Sequence, residues 1–400
     1  MFYSLLAFLP EIGLLLTACA LLLDHDRLLK HPLISFVWVL FMAGILAVLI
    51  VNPGLHGEHF CGTMGVDLLT LSQKGLILAF GLPWIEKQGE SIALYLLSLL
   101  GVCIVISSHH MITAYVGLEL HVLPLYGIIA LRRDRPFSME ASLKYFILGT
   151  LASLFILYGM GLVYASTGRM DLGVFQGQTG HLFQGGLFFI MAGILFKLAI
   201  VPFHGWIGDV YEGSTNDQVA FMGVVSKCMA LFLLFRLVQG STLLSWLAVA
   251  SIVMGAFMAL RQHNIRRLFA YGSIHHMGFV LVGLDVSFSC LLYFLVYAFA
   301  FNGFFFILKI GANKGHPVER VEDFKGLFER KPLHAGFLAL MVFVLAGIPP
   351  LPGFWTKFNI LIEIAERGQY GQAFLALGGS LVALVYYLNI LRVMFFEGDR

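Results

Sequence analysis

Residues Gly186–Arg236, GLFFIMAGILFKLAIVPFHGWIGDVYEGSTNDQVAFMGVVSKCMALFLLFR, decide how the chain folds. Two apolar runs fill the stretch. The first carries Lys197 and breaks at Pro202–Phe203–His204, and the second carries Lys227. A lysine at bilayer depth costs about 2.5–3.5 kcal/mol on insertion scales, so it needs a partner or a wet cavity. Proline removes a helix donor, and irregular backbone at that depth survives only where protein or water covers it. Lys197 lies five residues before Pro202 and seven before His204. That spacing reads as one helical side of an ion path, in preference to a lysine snorkelling at a helix end.

The composition agrees. The chain is 59% hydrophobic and 12% charged, with mean hydropathy +0.87. Repeated apolar runs of membrane length indicate an all-α polytopic membrane protein. A net charge of +2 gives no reason to expect nucleic acid as a partner. The first basic residue is Arg27, after the first apolar run, so the start reads as a retained span and not as a cleaved signal. Cysteines are scattered, and there is no CxxC, HExxH or Walker loop, so no metal or cofactor site is expected on this chain. The adjacent pairs His109–His110 and His275–His276 point their rings apart on a helix, which suits shared metal ligation poorly.

Apolar runs fall at about 4–23, 33–51, 67–84, 92–108, 111–130, 142–166, 186–206, 218–239, 243–260, 268–284, 289–308, 333–366 and 372–396, predicting thirteen transmembrane helices. The basic residues test that order. Arg27, Lys30, Arg132, Arg133, Arg261, Arg266, Arg267, Lys331 and most others fall in odd-numbered loops or the tail, while Arg169, Arg236 and Arg367 lie by even-numbered loops. The alternation puts the N-terminus outside. Residues 1–91 then form peripheral spans, followed by two five-span blocks, 92–239 and 243–396. Five is odd, so a tandem copy must sit inverted, and each block has a proline-broken run with a lysine, Lys197 or Lys357.

Lys74, Lys144, Lys197, Lys227 and Lys357 lie inside runs, at a summed cost of about 13–18 kcal/mol if uncompensated. Lys74 has a structural reading in a polar crevice, and Lys144 lies about a turn inside its span. Glu119, central in MITAYVGLELHVLPLYGIIA, needs a cation, for which Lys197 and Lys144 are the candidates. His121 points to another face and reads as structural. His276 lies deeper than Arg266 and Arg267 in its run, where a group titrating near neutrality can pass protons.

Several motifs carry a resemblance: Val116–Gly117–Leu118–Glu119–Leu120 with Pro124–Leu125–Tyr126, Glu140 through Lys144–Tyr145–Phe146, and Phe196–Lys197 through Val201–Pro202–Phe203–His204–Gly205–Trp206. Others are Asp209–Val210–Tyr211–Glu212–Gly213, Ser226–Lys227, Asn264 through His276, and Ala346–Gly347–Ile348–Pro349 through Lys357–Phe358. Over about residues 90–397 the chain resembles the antiporter-like membrane subunits of proton-pumping NADH–quinone oxidoreductase, respiratory complex I. The N type fits better than the L and M types. The resemblance implies proton translocation coupled to quinone reduction on partner subunits. Glu119 and Lys197 would be a switching ion pair, Lys227 the central relay, His276 a bridge, Lys357 the terminal lysine and Lys144 an auxiliary input. It implies quinone, FMN, iron–sulfur clusters and NADH on partner subunits, other membrane-arm subunits as partners, and a bacterial inner membrane.

Three departures from the usual family pattern stand out. Ser214–Thr215–Asn216–Asp217 stands where a proline-containing stretch is usual, His121 where an apolar or small residue is usual, and thirteen spans are expected where fourteen are usual. Two other readings share these residues: a subunit of a multi-subunit cation/proton antiporter, and a structural membrane scaffold with static charge pairs.

Overall fold

The computed structural model describes residues 6–23, 56–85, 90–132, 135–175, 180–237, 241–284, 287–311 and 318–398. The expected span at 33–51 lies outside them. The helices are α1 (Leu9–Leu23), α2 (Leu68–Gly81), α3 (Glu90–Ser107), α4 (Met111–Ala130), α5 (Pro136–Thr167), α6 (His181–Leu198), α7 (Ile207–Gly213), α8 (Asn216–Leu237), α9 (Thr242–Leu260), α10 (Ile265–Val282), α11 (Ser287–Gly311), α12 (Leu327–Arg330), α13 (Pro332–Ala346), α14 (Pro352–Glu366) and α15 (Tyr370–Phe396). Eight of them are long and apolar enough to cross a bilayer among the described residues: α3, α4, α5, α6, α8, α9, α11 and α15. The chain is an all-α multi-pass membrane protein. One element departs from that class, a small hairpin of β1 (Gly57–His59) and β2 (Met64–Val66). Its turn needs left-handed backbone, taken by Phe60, Cys61 and Gly62, which apolar periodicity does not signal.

The outer faces explain the composition. Leu143, Ile147, Leu151, Leu154 and Leu157 on α5, and Phe374, Leu377, Leu381, Val385 and Leu388 on α15, are exposed at three- and four-residue spacing. In water such stripes would drive aggregation; in lipid they are the solvated face. Helix α10 is the reverse. It carries Arg266, Arg267, His275 and His276, yet nearly all of it is buried; Arg266 meets Glu319, Arg267 meets Asp209 and Glu212, and His275 Nδ1 meets the Ile252 carbonyl.

The chain forms two compact units, Met1–Ile194 with Val225–Val238, and Leu195–Val224 with Gln239–Arg400. In the first, α3 and α4 meet through glycines. A Cβ on Gly101 would lie 2.4 Å from the His121 amide nitrogen and 2.5 Å from the Gly117 oxygen. Small residues let backbones approach in this way where dispersion is the main attraction. Gly159 and Gly186 do the same for α5 and α6.

In the second unit, the expected twelfth span is two helices. Helix α13 ends at Gly347, whose φ of 79° favours glycine, and α14 starts at Pro352, a residue suited to a first helical turn. The two are held close at Gly353, where a Cβ would lie 1.8 Å from the Val344 oxygen. Gly353→Ala is expected to destabilise the chain by about 1–3 kcal/mol, read as a lower melting temperature of the detergent-solubilised protein.

Candidate functional site

Each unit buries its own titratable groups. In the first unit they sit on α1 to α5 and on the part of α8 from Val225 onward. Helix α8 is almost entirely buried. It starts at an N-cap Thr215 in a reciprocal capping box: Gln218 N–H donates to Thr215 Oγ1 at 3.1 Å, and Thr215 N–H donates to Gln218 Oε1 at 2.9 Å. The Ser214–Asp217 departure therefore makes an ordinary helix start. Thr215→Ala should cost about 1 kcal/mol, a loss that thermal unfolding of the solubilised chain would register. Residues Met222–Ser226 form a π-helical turn, and Lys227 follows it, 2% exposed. Such turns often mark functional positions because they displace side chains from the regular helical track.

On α4, Glu119 accepts a hydrogen bond from Ser153 Oγ of α5. His121 is wholly buried and bonded at both ring nitrogens. Nδ1 lies 2.8 Å from Ser98 Oγ and 3.1 Å from the Ser98 carbonyl oxygen, and Nε2 lies 2.8 Å from Ser226 Oγ. At the far end of α8, the Arg236 guanidinium donates to the carbonyls of Ser108 and Ile106 at 2.7 and 2.6 Å, satisfying acceptors that the end of α3 leaves open. Lys144 differs from the other lysines inside apolar runs. Its side chain is 41% exposed and pairs with Glu140 one turn earlier at 2.6 Å.

In the second unit, Lys197 occupies the last turn of α6, 8% exposed. The helix stops at Leu198, before the proline, and Ala199 takes φ 59°. A non-glycine residue there costs about 1–3 kcal/mol and needs its surroundings to hold it. The surroundings are visible: Val201 N–H donates to Ser251 Oγ at 3.0 Å, and Trp206 Nε1–H donates to the Phe196 carbonyl at 3.0 Å while its ring stacks on Phe196. The reading of Lys197 and His204 as one helical side needs correction, since the helix ends between them and seven-residue spacing no longer places them on one face.

Lys357, 5% exposed, aims Nζ at the end of α13, donating to the carbonyls of Leu345 at 3.1 Å and Ala346 at 3.4 Å. A helix C-terminus offers open carbonyls and partial negative charge, so it suits an ammonium. The Phe279 ring adds a cation–π contact at 5.6 Å. His276, 2% exposed, lies between two tyrosines, with Nδ1 2.6 Å from Tyr293 Oη and Nε2 2.9 Å from Tyr387 Oη. Each partner is a hydroxyl that both donates and accepts, so the ring can take a proton at one nitrogen and release one at the other. Among the described residues no group of three or more His, Cys, Asp or Glu could hold a metal ion.

Residues 108–383 match the sequence profile of the transmembrane family of NADH:quinone oxidoreductase and Mrp antiporter subunits. The chain belongs to this family. Among its relatives, the NADH-quinone oxidoreductase subunit N of Paramagnetospirillum magneticum is 36% identical, over 98% of this chain and 88% of that protein. Subunit N of Nitrosomonas europaea is 34% identical over the same shares of the two chains. Among solved structures, a chain of respiratory complex I from Thermus thermophilus superposes with TM-score 0.86 at 32% identity, covering 98% of this chain and 91% of that one. A chain of the Mrp complex from Dietzia sp. also gives TM-score 0.86, at 22% identity, and covers all of this chain and 81% of that one, which speaks for the fold alone.

For this member of the family, the structure joins two motifs that the sequence kept apart. Arg267 pairs with Asp209 at 3.0 Å and Glu212 at 2.7 Å, so the Asp-Val-Tyr-Glu-Gly run and the Asn264–Arg267 run form one charge cluster. Asn264 caps α10 above it, accepting from the amides of Arg266 and Arg267. Sequence reasoning missed two further sites. The partners of His121 come from α3 and α8, which no spacing rule within α4 reveals. Lys74 is an ion-pair member: it meets Glu11 of α1 at 2.6 Å, with side chains 0% and 7% exposed, and lies over the Phe8 ring. The signal available was an acidic residue early in an apolar run, at Glu11.

Proposed function

We propose that this chain is a proton-translocating membrane subunit of an NADH–quinone oxidoreductase, working with other membrane-arm subunits in a bacterial inner membrane, N-terminus outside. The observation that carries the reading is the 36% identity to a subunit N over 98% of the chain. Titratable groups that are buried, or half-buried in the case of Glu119, supply a physical path. In the first unit these are Glu119 and Lys227; in the second, Lys197, His276 and Lys357. Lys144 serves as an auxiliary group, and its exposed pairing with Glu140 suits a role nearer an aqueous side.

Burial penalises an ammonium and a nearby carboxylate favours it, so a change in either alters proton affinity. In this reading Glu119 and Lys197 switch charge state together, Lys227 takes up and releases the proton, and His276 and Lys357 carry it onward. Electron transfer through quinone, FMN, iron–sulfur clusters and NADH belongs to partner subunits, and this chain alone oxidises nothing. The finer architecture belongs to the same proposal: thirteen spans, with 92–239 and 243–396 as inverted five-helix repeats after peripheral spans at 1–91. The lysine-bearing breaks at Lys197 and Lys357 support it.

Membranes with and without the chain test the function. The reading expects NADH-driven proton pumping that needs both this chain and the redox subunits. Sodium–proton exchange by the chain without redox partners would instead identify a cation antiporter subunit.

A further inference from the structure

We infer that His121 is an additional proton carrier, linking α4 to the turn of α8 that precedes Lys227. The inference rests on the pumping role proposed above.

Nδ1 faces two oxygens of Ser98, the hydroxyl at 2.8 Å and the carbonyl at 3.1 Å, and the carbonyl, which cannot donate, is matched by the tautomer with hydrogen on Nδ1. Nε2 then has a free lone pair and accepts from the Ser226 hydroxyl at 2.8 Å. Ser98 and His121 are wholly buried, and Ser226 is 8% exposed. The close approach of α3 and α4 at Gly101 and Gly117 holds the ring in place.

The basic nitrogen therefore points at a hydroxyl in the π-helical turn, one residue before Lys227, and Glu119 lies two residues before the histidine on its own helix. Proton transfer through this group balances simply. A protonated water or the Lys227 ammonium gives a proton to Ser226 Oγ while Ser226 gives its own to Nε2. The donor's O–H or N–H bond and the serine O–H bond break, a new serine O–H and the imidazole Nε2–H form, and one positive charge moves from the donor to the ring. The imidazolium keeps Nδ1–H on the Ser98 carbonyl, so both of its N–H groups have acceptors. Reversal, with Nε2 returning the proton through Ser226 Oγ to the neutral water or lysine amine that gave it, restores a neutral ring.

The test uses the assembled complex in native membranes and measures protons pumped per quinone reduced. His121→Gln keeps an amide donor and acceptor but cannot carry a proton, and His121→Leu removes both. Lys227→Ala reports on the pumping reading itself. The inference expects the ratio to fall by about half or more in both His121 variants, because a lost acid–base carrier slows every proton that uses it. Ser226→Ala, which leaves the ring intact and removes its Nε2 partner, should lower the ratio too, and it decides the matter if the His121 variants fail to assemble. A wild-type ratio in His121→Gln, or in Ser226→Ala should that arm decide, with a lowered one in Lys227→Ala, overturns the inference and leaves the pump standing. Wild-type ratios in all of them, Lys227→Ala included, remove the pumping reading and this inference with it.

Discussion

Lys227→Ala is expected to slow proton transfer through this chain by about tenfold or more, equivalent to about 1.4 kcal/mol or more on the barrier. The complex should still assemble and reduce quinone. Lys227 is 2% exposed, in the most fully buried span among the described helices. A titratable nitrogen in such a place responds to changes in the charge around it. The π-helical turn before it is a local irregularity in an otherwise regular helix. Alanine keeps the helix and removes the only titratable group at that position. If the lysine were a static packing element, the substitution would lower stability and leave the proton yield per quinone unchanged. Proton uptake and quinone reduction recorded together in reconstituted vesicles separate the two.

Glu11→Ala should have the largest effect on stability, about 3–5 kcal/mol, because it leaves Lys74 buried without its carboxylate. The pair is 2.6 Å apart, and Lys74 has no exposure at all. Two ions taken out of water gain little net energy from each other, so the pair itself stabilises the fold only weakly. Breaking it exposes the full desolvation cost of the survivor. Replacing both together, as Glu11→Leu with Lys74→Met, should recover most of the loss. Thermal unfolding of the four members of this double-mutant cycle gives the coupling. Additive single effects would mean that the contact has no energetic weight.

Much of the site was legible because burial depth follows directly from an apolar run. Lys197, Lys227, Lys357 and His276 each interrupt such a run, and each is buried. The break between Ala346 and Pro352 was legible from Pro349, Pro350 and Pro352. Proline identity located the break near Lys197 less well, since the helix yields at Ala199, where tertiary bonds from Ser251 and the Phe196–Trp206 stack hold the chain. Contacts between helices distant in sequence were not legible. Glu11 with Lys74, Arg267 with Asp209 and Glu212, and His121 with Ser98 and Ser226 all depend on which helix faces pack together. Periodicity specifies a face of one helix and says nothing of its neighbour. Lys144 shows the converse: its run is apolar, yet its side chain lies on the exposed side beside Glu140.

The most direct measurement is the number of protons moved per quinone reduced by the reconstituted complex when Lys197, Lys227 and Lys357 are all replaced by methionine. Methionine keeps most of the volume and removes three buried charges, so assembly should survive. The account predicts a clearly lower ratio with quinone reduction still running. An unchanged ratio in an intact complex would contradict it and leave these lysines as structural charges.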